Sequence, residues 1–166
     1  MTIILGIDPG SRITGFGVIH YNHQNRRLKY LACGCIRTLE KEFLSERLGL
    51  IYQGLQDIIQ TYKPSVAAIE QVFLKQNVLS ALKLGHARGA AMTACAVYNL
   101  HVAEYSPRAV KQAVVGYGGA EKIQVQTMIM DLLQLDHKPS TDASDALAVA
   151  ICHSFHYRVQ LRTSLT

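Results

Sequence analysis

Two apolar runs in this sequence end on a lone carboxylate, Ile7-Asp8 and Ile69-Glu70, and the stretch Asp142-Ala143-Ser144-Asp145 sets two more at i and i+3. An acid at the carboxyl end of a buried strand stands where open α/β sheets receive ligands, so Asp8 and Glu70 converge if their strands are neighbours. The i, i+3 spacing puts Asp142 and Asp145 on one face of a first helical turn. Each acid also has a plainer reading. Asp before Pro9-Gly10 forms turns, Glu70 could pair with a lysine, and the helix dipole by itself favours Asp142 and Asp145. As a set, the four point to a cation site, because clustered carboxylates repel and are costly to bury unless neutralised. Hard oxygen ligands suit Mg²⁺ or Mn²⁺. Two such ions about 3.5 to 4 Å apart stabilise the attacking and leaving oxygens of an in-line phosphoryl displacement. Asp8 would then be a bridging ligand on a rigid central strand, with the turn behind it leaving room for a phosphate.

The elements that must position these acids can be read from the pattern. Ile3 to Asp8 and Thr14 to Tyr21 read as strands joined by Pro9-Gly10-Ser11-Arg12, and Leu28 to Thr38 as a third, giving an antiparallel meander. Leu44, Leu48, Ile51, Leu55, Ile58 and Ile59 recur at helical spacing until Pro64. Val66 to Glu70 is a short strand, and Asn77 to about Asn99 a long helix rich in small residues from Gly85 to Ala91. His101 to Tyr105 is a fifth strand; Ser106 caps a helix with Pro107 at its first position, and Gly116-Tyr117-Gly118-Gly119 ends it. Further helices cover about Ala120 to Leu135 and Thr141 or Asp142 to about Tyr157. The order predicts an α/β fold with a mixed five-stranded sheet and helices on both faces.

The chain has 166 residues, 49% of them apolar, which suits one domain over residues 1–166 with a flexible tail from about 158 to 166. Its apolar stretches are too short to span a membrane, and no charged leader precedes the first strand, so a soluble protein of the cytoplasm is expected. Cys33, Cys35, Cys95 and Cys152 match neither a zinc spacing nor a disulfide framework, and free thiols fit them. The net charge is +5, and no acid follows Asp145. A polyanionic partner is a fair inference from that balance.

Five stretches in order, "GIDPGSRITGFG", "AIEQVF", "SALKLGHARG", "VKQAVVGYGGAEKIQVQ" and "DASDALAVAICH", resemble the RuvC family of Holliday-junction resolvases across residues 3 to about 153. The resemblance implies an RNase H-like fold, a homodimer, and Mg²⁺-dependent nicking of two opposed strands of a four-way DNA junction in recombination and repair. Carried over by position, its acidic site falls on Asp8, Glu70, Asp142 and Asp145. Its basic residues near the scissile phosphate fall on Lys111 and Lys122, and the aromatic that stacks on an unpaired junction base falls on Phe73. It further implies Mn²⁺ as a substitute, two ions per subunit, and cooperation with the RuvA and RuvB branch-migration machinery.

The helix from Ala81 to Ala96 is the candidate dimer interface, since small residues let another backbone approach. Three rivals stand beside this reading: a two-lobed phosphate-binding ATPase module, a junction binder that does not cut, and an RNase H-like nuclease acting on RNA. The chain is short for the first, which also leaves "DASDALA" unexplained. His153 and His156 lie one helical turn apart, a spacing compatible with a metal, yet with no third ligand nearby they read as surface or DNA-facing residues.

Overall fold

The computed structural model describes residues 1–71 and 78–163, with side chains placed through residue 156. Three antiparallel strands lead, β1 (Thr2–Asp8), β2 (Ile13–Tyr21) and β3 (Leu28–Arg37), followed by helix α1 (Leu44–Tyr62). Strand β4 (Val66–Glu70), helix α2 (Val78–Val97), strand β5 (Val102–Tyr105) and helices α3 (Pro107–Val115), α4 (Lys122–Leu133) and α5 (Thr141–Thr163) complete the order. The sheet runs β3-β2-β1-β4-β5, with β4 parallel to β1 and β5 parallel to β4. This is the mixed five-stranded sheet read from the pattern.

Period-two alternation divides the strands between two cores. Ile4, Ile19, Tyr21, Val66 and Ala68 face a core shared with α3, α4 and α5, including Val110, Ile129, Leu147 and Ile151. Leu5, Ile7, Val18, Ala67 and Ile69 face the opposite way, against Ile51, Leu55 and Ile59 of α1 and Ala87, Ala91 and Ala94 of α2. By the same alternation, Asp8 and Glu70 fall on the α5 side of the sheet.

Local signals set the helix ends. Glu46 accepts from the Phe43 N–H at 3.0 Å ahead of α1, Ser106 accepts from Ala109 N–H at 3.2 Å at the start of α3, and Gln124 accepts from Glu121 N–H at 2.8 Å ahead of α4. Gly116 closes α3 at φ 95°, a left-handed conformation that favours glycine. One departure lies at the C-terminus. Helix α5 continues to Thr163, past the end expected near Tyr157.

Candidate active site

The site begins with the parallel pairing of β1 and β4. Ile7 pairs with Ile69, so Asp8 and Glu70 leave adjoining strands at the same carboxyl end. Beyond Asp8 the chain turns through Pro9–Arg12, where the Thr14 hydroxyl donates to the Gly10 carbonyl at 3.0 Å and accepts from the Gly10 N–H at 3.3 Å. That turn brings β2 back with Gly15 opposite Asp8.

Helix α5 supplies the other acids, and its placement depends on glycines. A Cβ on Gly15 would fall on the Asp142 carbonyl, and one on Gly6 would fall on that of Ala146. Only bare backbone at these positions lets α5 lie directly on β1 and β2. Ala143, Ala146 and Ala150, all buried, continue this close approach. The result is a first turn of α5 held against the end of β1, which brings Asp142 and Asp145 within electrostatic reach of Asp8. The positioning role of Gly6 and Gly15 was missed at the level of sequence; glycines inside otherwise apolar strands, Gly6 in β1 and Gly15 and Gly17 in β2, were the available signal.

The electrostatics record a crowd of acids. Burial pushes the Asp8 carboxyl up to about 7, and the charges of Asp145, Glu70 and Asp142 push the same way, against Lys122. Glu70 is raised by burial and then by Asp145, with Lys122 and Lys111 opposing. Lys122 answers the crowd by donating to Asp145 Oδ2 at 2.8 Å. Burial works to lower its ammonium, but the bond to Asp145 and the charges of Asp145, Asp8 and Asp142 win, holding it above the usual lysine value. A cavity of about 380 Å³ opens here, lined by Glu70, Lys111, Lys122 and Asp145 among others. Among the described residues, no three His, Cys, Asp or Glu side chains stand close enough to hold one ion as they are. Lys122 bound to Asp145 is the arrangement expected of repelling carboxylates whose nearest counter-charge is an ammonium.

The cavity thus gathers Glu70, Asp145, Lys111 and Lys122, with Asp8 and Asp142 within electrostatic reach of that group. Phe73 lies outside the described residues. The histidine expectation needs correcting. His153 is buried at 5% exposure, its Nδ1 2.8 Å from the Tyr105 hydroxyl, and burial followed by the charges of His101 and His156 lowers it to about 4. Its helical position faces the sheet, so it is a core residue. His156 is exposed, with Nδ1 at 3.0 Å from the Cys152 carbonyl and its ring 4.9 Å from that of Tyr105.

A family model described as "Crossover junction endodeoxyribonuclease RuvC" matches residues 4–153. A protein of that description from Vibrio parahaemolyticus is 59% identical over 154 residues, covering 93% of this chain and 87% of the relative. One from Legionella pneumophila (strain Lens) is 54% identical over the same shares. Among solved structures, Thermus thermophilus RuvC in complex with Holliday junction substrate superposes with a TM-score of 0.91 at 31% identity, covering 96% of this chain and 97% of that one. The fold is accordingly the RNase H-like α/β fold expected from the resemblance.

Proposed function

The chain belongs to the RuvC family of crossover junction endodeoxyribonucleases, and from that premise we propose that it is a Holliday junction resolvase that nicks two opposed strands of a four-way DNA junction in recombination and repair. The observation that carries this reading is the meeting of Asp8 and Glu70, at adjoining ends of parallel strands, with the first turn of α5 and a cavity lined by Lys111 and Lys122. A junction binder that does not cut leaves four acids crowded at one end of the sheet, two of them raised by burial and mutual repulsion, without a role.

Asp8, Glu70, Asp142 and Asp145 are the residues that would hold divalent cations, Mg²⁺ with Mn²⁺ as a substitute and two ions per subunit. The fit rests on the donor set: all four are hard oxygen donors, and burial followed by the charge of the neighbouring acids raises Asp8 and Glu70, both of which a bound cation would offset. The chemistry supplied there by bound metal is a hydroxide-like nucleophile at neutral pH and neutralised phosphate charge. The chain itself orients and excludes. Asp8 on central strand β1 and Glu70 on its neighbour fix one wall, while α5 fixes the other. Lys111 and Lys122 offset charge developing on the phosphate, Lys122 exchanging Asp145 for the substrate as it does so. Water attacks the phosphodiester in line, the 3′-oxygen departs, and the products carry a 5′-phosphate and a 3′-hydroxyl.

A homodimer matches the two-fold symmetry of a junction. Support for α2 as its interface is the exposed face carrying Leu79 at 69% and Leu82 at 55%, with open space over Gly85 and Gly89. The net charge of +5 favours phosphate contacts and an affinity that falls with salt. Stacking of Phe73 on a junction base, cooperation with RuvA and RuvB, a cytoplasmic location and a single nuclease domain over residues 1–166 rest on the family alone. Among the described residues, no helix is long and apolar enough to cross a membrane.

The test incubates the protein with a labelled four-way junction and Mg²⁺, beside linear duplex, an RNA·DNA hybrid and an EDTA control. Paired nicks confined to the junction and lost in EDTA are expected. Binding without cutting under any divalent metal would replace the resolvase with a junction-binding module, and preference for the hybrid would make it an RNA-directed nuclease.

A further inference from the structure

Arg47 is a charged residue only 8% exposed, in the first turns of α1, and none of the ion pairs among the described residues includes it. A guanidinium taken out of water without a carboxylate is an expensive way to fill space, since an aliphatic side chain of the same length would pack there at lower cost. Its donors must therefore be the point. Arg47 Nη2 donates to the Ser11 carbonyl, and Nε donates to the Thr38 hydroxyl at 3.2 Å. Thr38, also buried at 8%, donates its hydroxyl to the same Ser11 carbonyl at 3.0 Å, and its N–H donates to the Arg12 carbonyl at 2.9 Å. Helix α1, the residue just after β3 and the turn between β1 and β2 are thus bolted at one carbonyl. That turn is the one the chain enters directly from Asp8.

We propose that Arg47, relayed through Thr38, is a positioning residue that locks the Pro9–Arg12 turn and so holds the Asp8 carboxylate in the geometry that binds divalent metal. The inference rests on the metal-dependent nuclease reading and deepens it. A group hydrogen-bonded directly to a metal-binding carboxylate is typically worth roughly 10- to 100-fold in metal affinity or activity, and Arg47, which reaches Asp8 only through the turn, stands at the low end of that range. The charges that act on Asp8 are those of Asp145, Glu70, Asp142 and Lys122, so the hold Arg47 exerts runs through the turn rather than through its field. Charge alone is not sufficient for this role. One ammonium can reach Ser11, but it cannot also span to Thr38 with the rigid fork of a guanidinium.

The experiment compares wild type with Arg47→Met, Arg47→Lys and Thr38→Val, and with Leu55→Ala as a control. Leu55 is a fully buried core residue of the same helix whose side chain packs in the core and takes no part in the hydrogen bonds at the Ser11 carbonyl. Mn²⁺ affinity without DNA is read by the EPR signal of free Mn²⁺, junction affinity is read in EDTA, and the single-turnover nicking rate and Tm complete the set. Arg47→Met should weaken Mn²⁺ binding about tenfold or more and slow nicking by a similar factor, with junction affinity within about twofold of wild type. Arg47→Lys should recover part of both losses, and Thr38→Val, which keeps the shape and gives a folded variant should Arg47→Met not fold, should show a smaller loss in the same two readouts. Leu55→Ala should lower Tm and leave Mn²⁺ affinity unmoved. The proposal is overturned by Mn²⁺ affinity unchanged in Thr38→Val and Arg47→Lys, or by Leu55→Ala losing Mn²⁺ affinity as much as the Arg47 variants. Wild type that neither binds Mn²⁺ nor nicks the junction overturns the underlying nuclease reading as well, which separates the two failures.

Discussion

The two faces of the sheet are covered in different ways. On one, α5 lies on β1 and β2 with almost nothing between the backbones, seated on Gly6 and Gly15 and lined by small residues of its own. On the other, α1 stands off on larger side chains, with Ile51, Leu55 and Ile59 in the core with Leu5, Ile7 and Ile69, while α2 contributes Ala87, Ala91 and Ala94. The first arrangement has no slack, and it is the one that carries acids. The second tolerates variation in its distance, and its outer surface on α2 is left apolar. The close-packed face ends at Asp8, Glu70, Asp142 and Asp145, while the other leaves Leu79 and Leu82 of α2 exposed.

The largest effect that sharpens this contrast belongs to the acids. Asp8→Asn should cut the single-turnover nicking rate by about 10³-fold, since metal-held charge stabilisation is worth several kcal/mol at about 1.4 per tenfold. Junction binding measured in EDTA should persist. Next comes the seat of α5. Gly15→Ala should destabilise by about 1–3 kcal/mol through overpacking, and nicking should fall more than tenfold at temperatures where the variant is folded, because the first turn of α5 has to shift. The matched change on the standoff face, Gly49→Ala within α1, meets nothing within 4 Å. It should stabilise by about 0.5–1 kcal/mol and leave nicking alone. Equal losses in both glycine variants would erase the distinction between the faces.

A smaller effect follows from Asp8, raised by burial and by its acidic neighbours from 3.8 to about 7. Between those values the folded chain keeps a proton that the unfolded chain releases, so stability falls as pH climbs through that window. In EDTA the melting temperature of wild type should decline from about pH 5 to about pH 7 more steeply than that of Asp8→Asn. Added Mg²⁺ should raise it more at about pH 8 than at about pH 5. The smallest effect on the monomer belongs to the outer face of α2. Leu82→Arg should leave its stability within about 0.5 kcal/mol and shift the sedimentation coefficient from dimer to monomer. A monomeric wild type, or a dimer that survives the substitution, would remove α2 from the interface.

Much of this was legible because the pattern is local. Alternating aliphatics marked the strands, a lone acid ended two of them, and the i, i+3 pair opened a helix, so all four acids can be named as candidates from local pattern. Other parts depend on approach between segments far apart in sequence. Gly15 reads as an ordinary strand residue until α5 is laid across it, and Arg47 reads as a solvated helix charge until the β1–β2 turn closes over it. His153 and His156 share a spacing that periodicity leaves ambiguous; only the Tyr105 hydroxyl decides that His153 points inward. The C-terminal polar stretch carries no helix stop before Thr163, which is why α5 outruns the end read from its apolar positions.

If carboxylates delivered by β1 and by α5 act as one site, losing either set disables it. The most direct measurement is the single-turnover rate of junction nicking in Mg²⁺ for Asp8→Asn, Asp145→Asn and the double variant, with junction binding checked in EDTA. Residues that act as a unit are not additive, so each single change should abolish most of the rate and the double should lose little more. Losses that multiply, or nicking that survives either single change, would contradict a shared site.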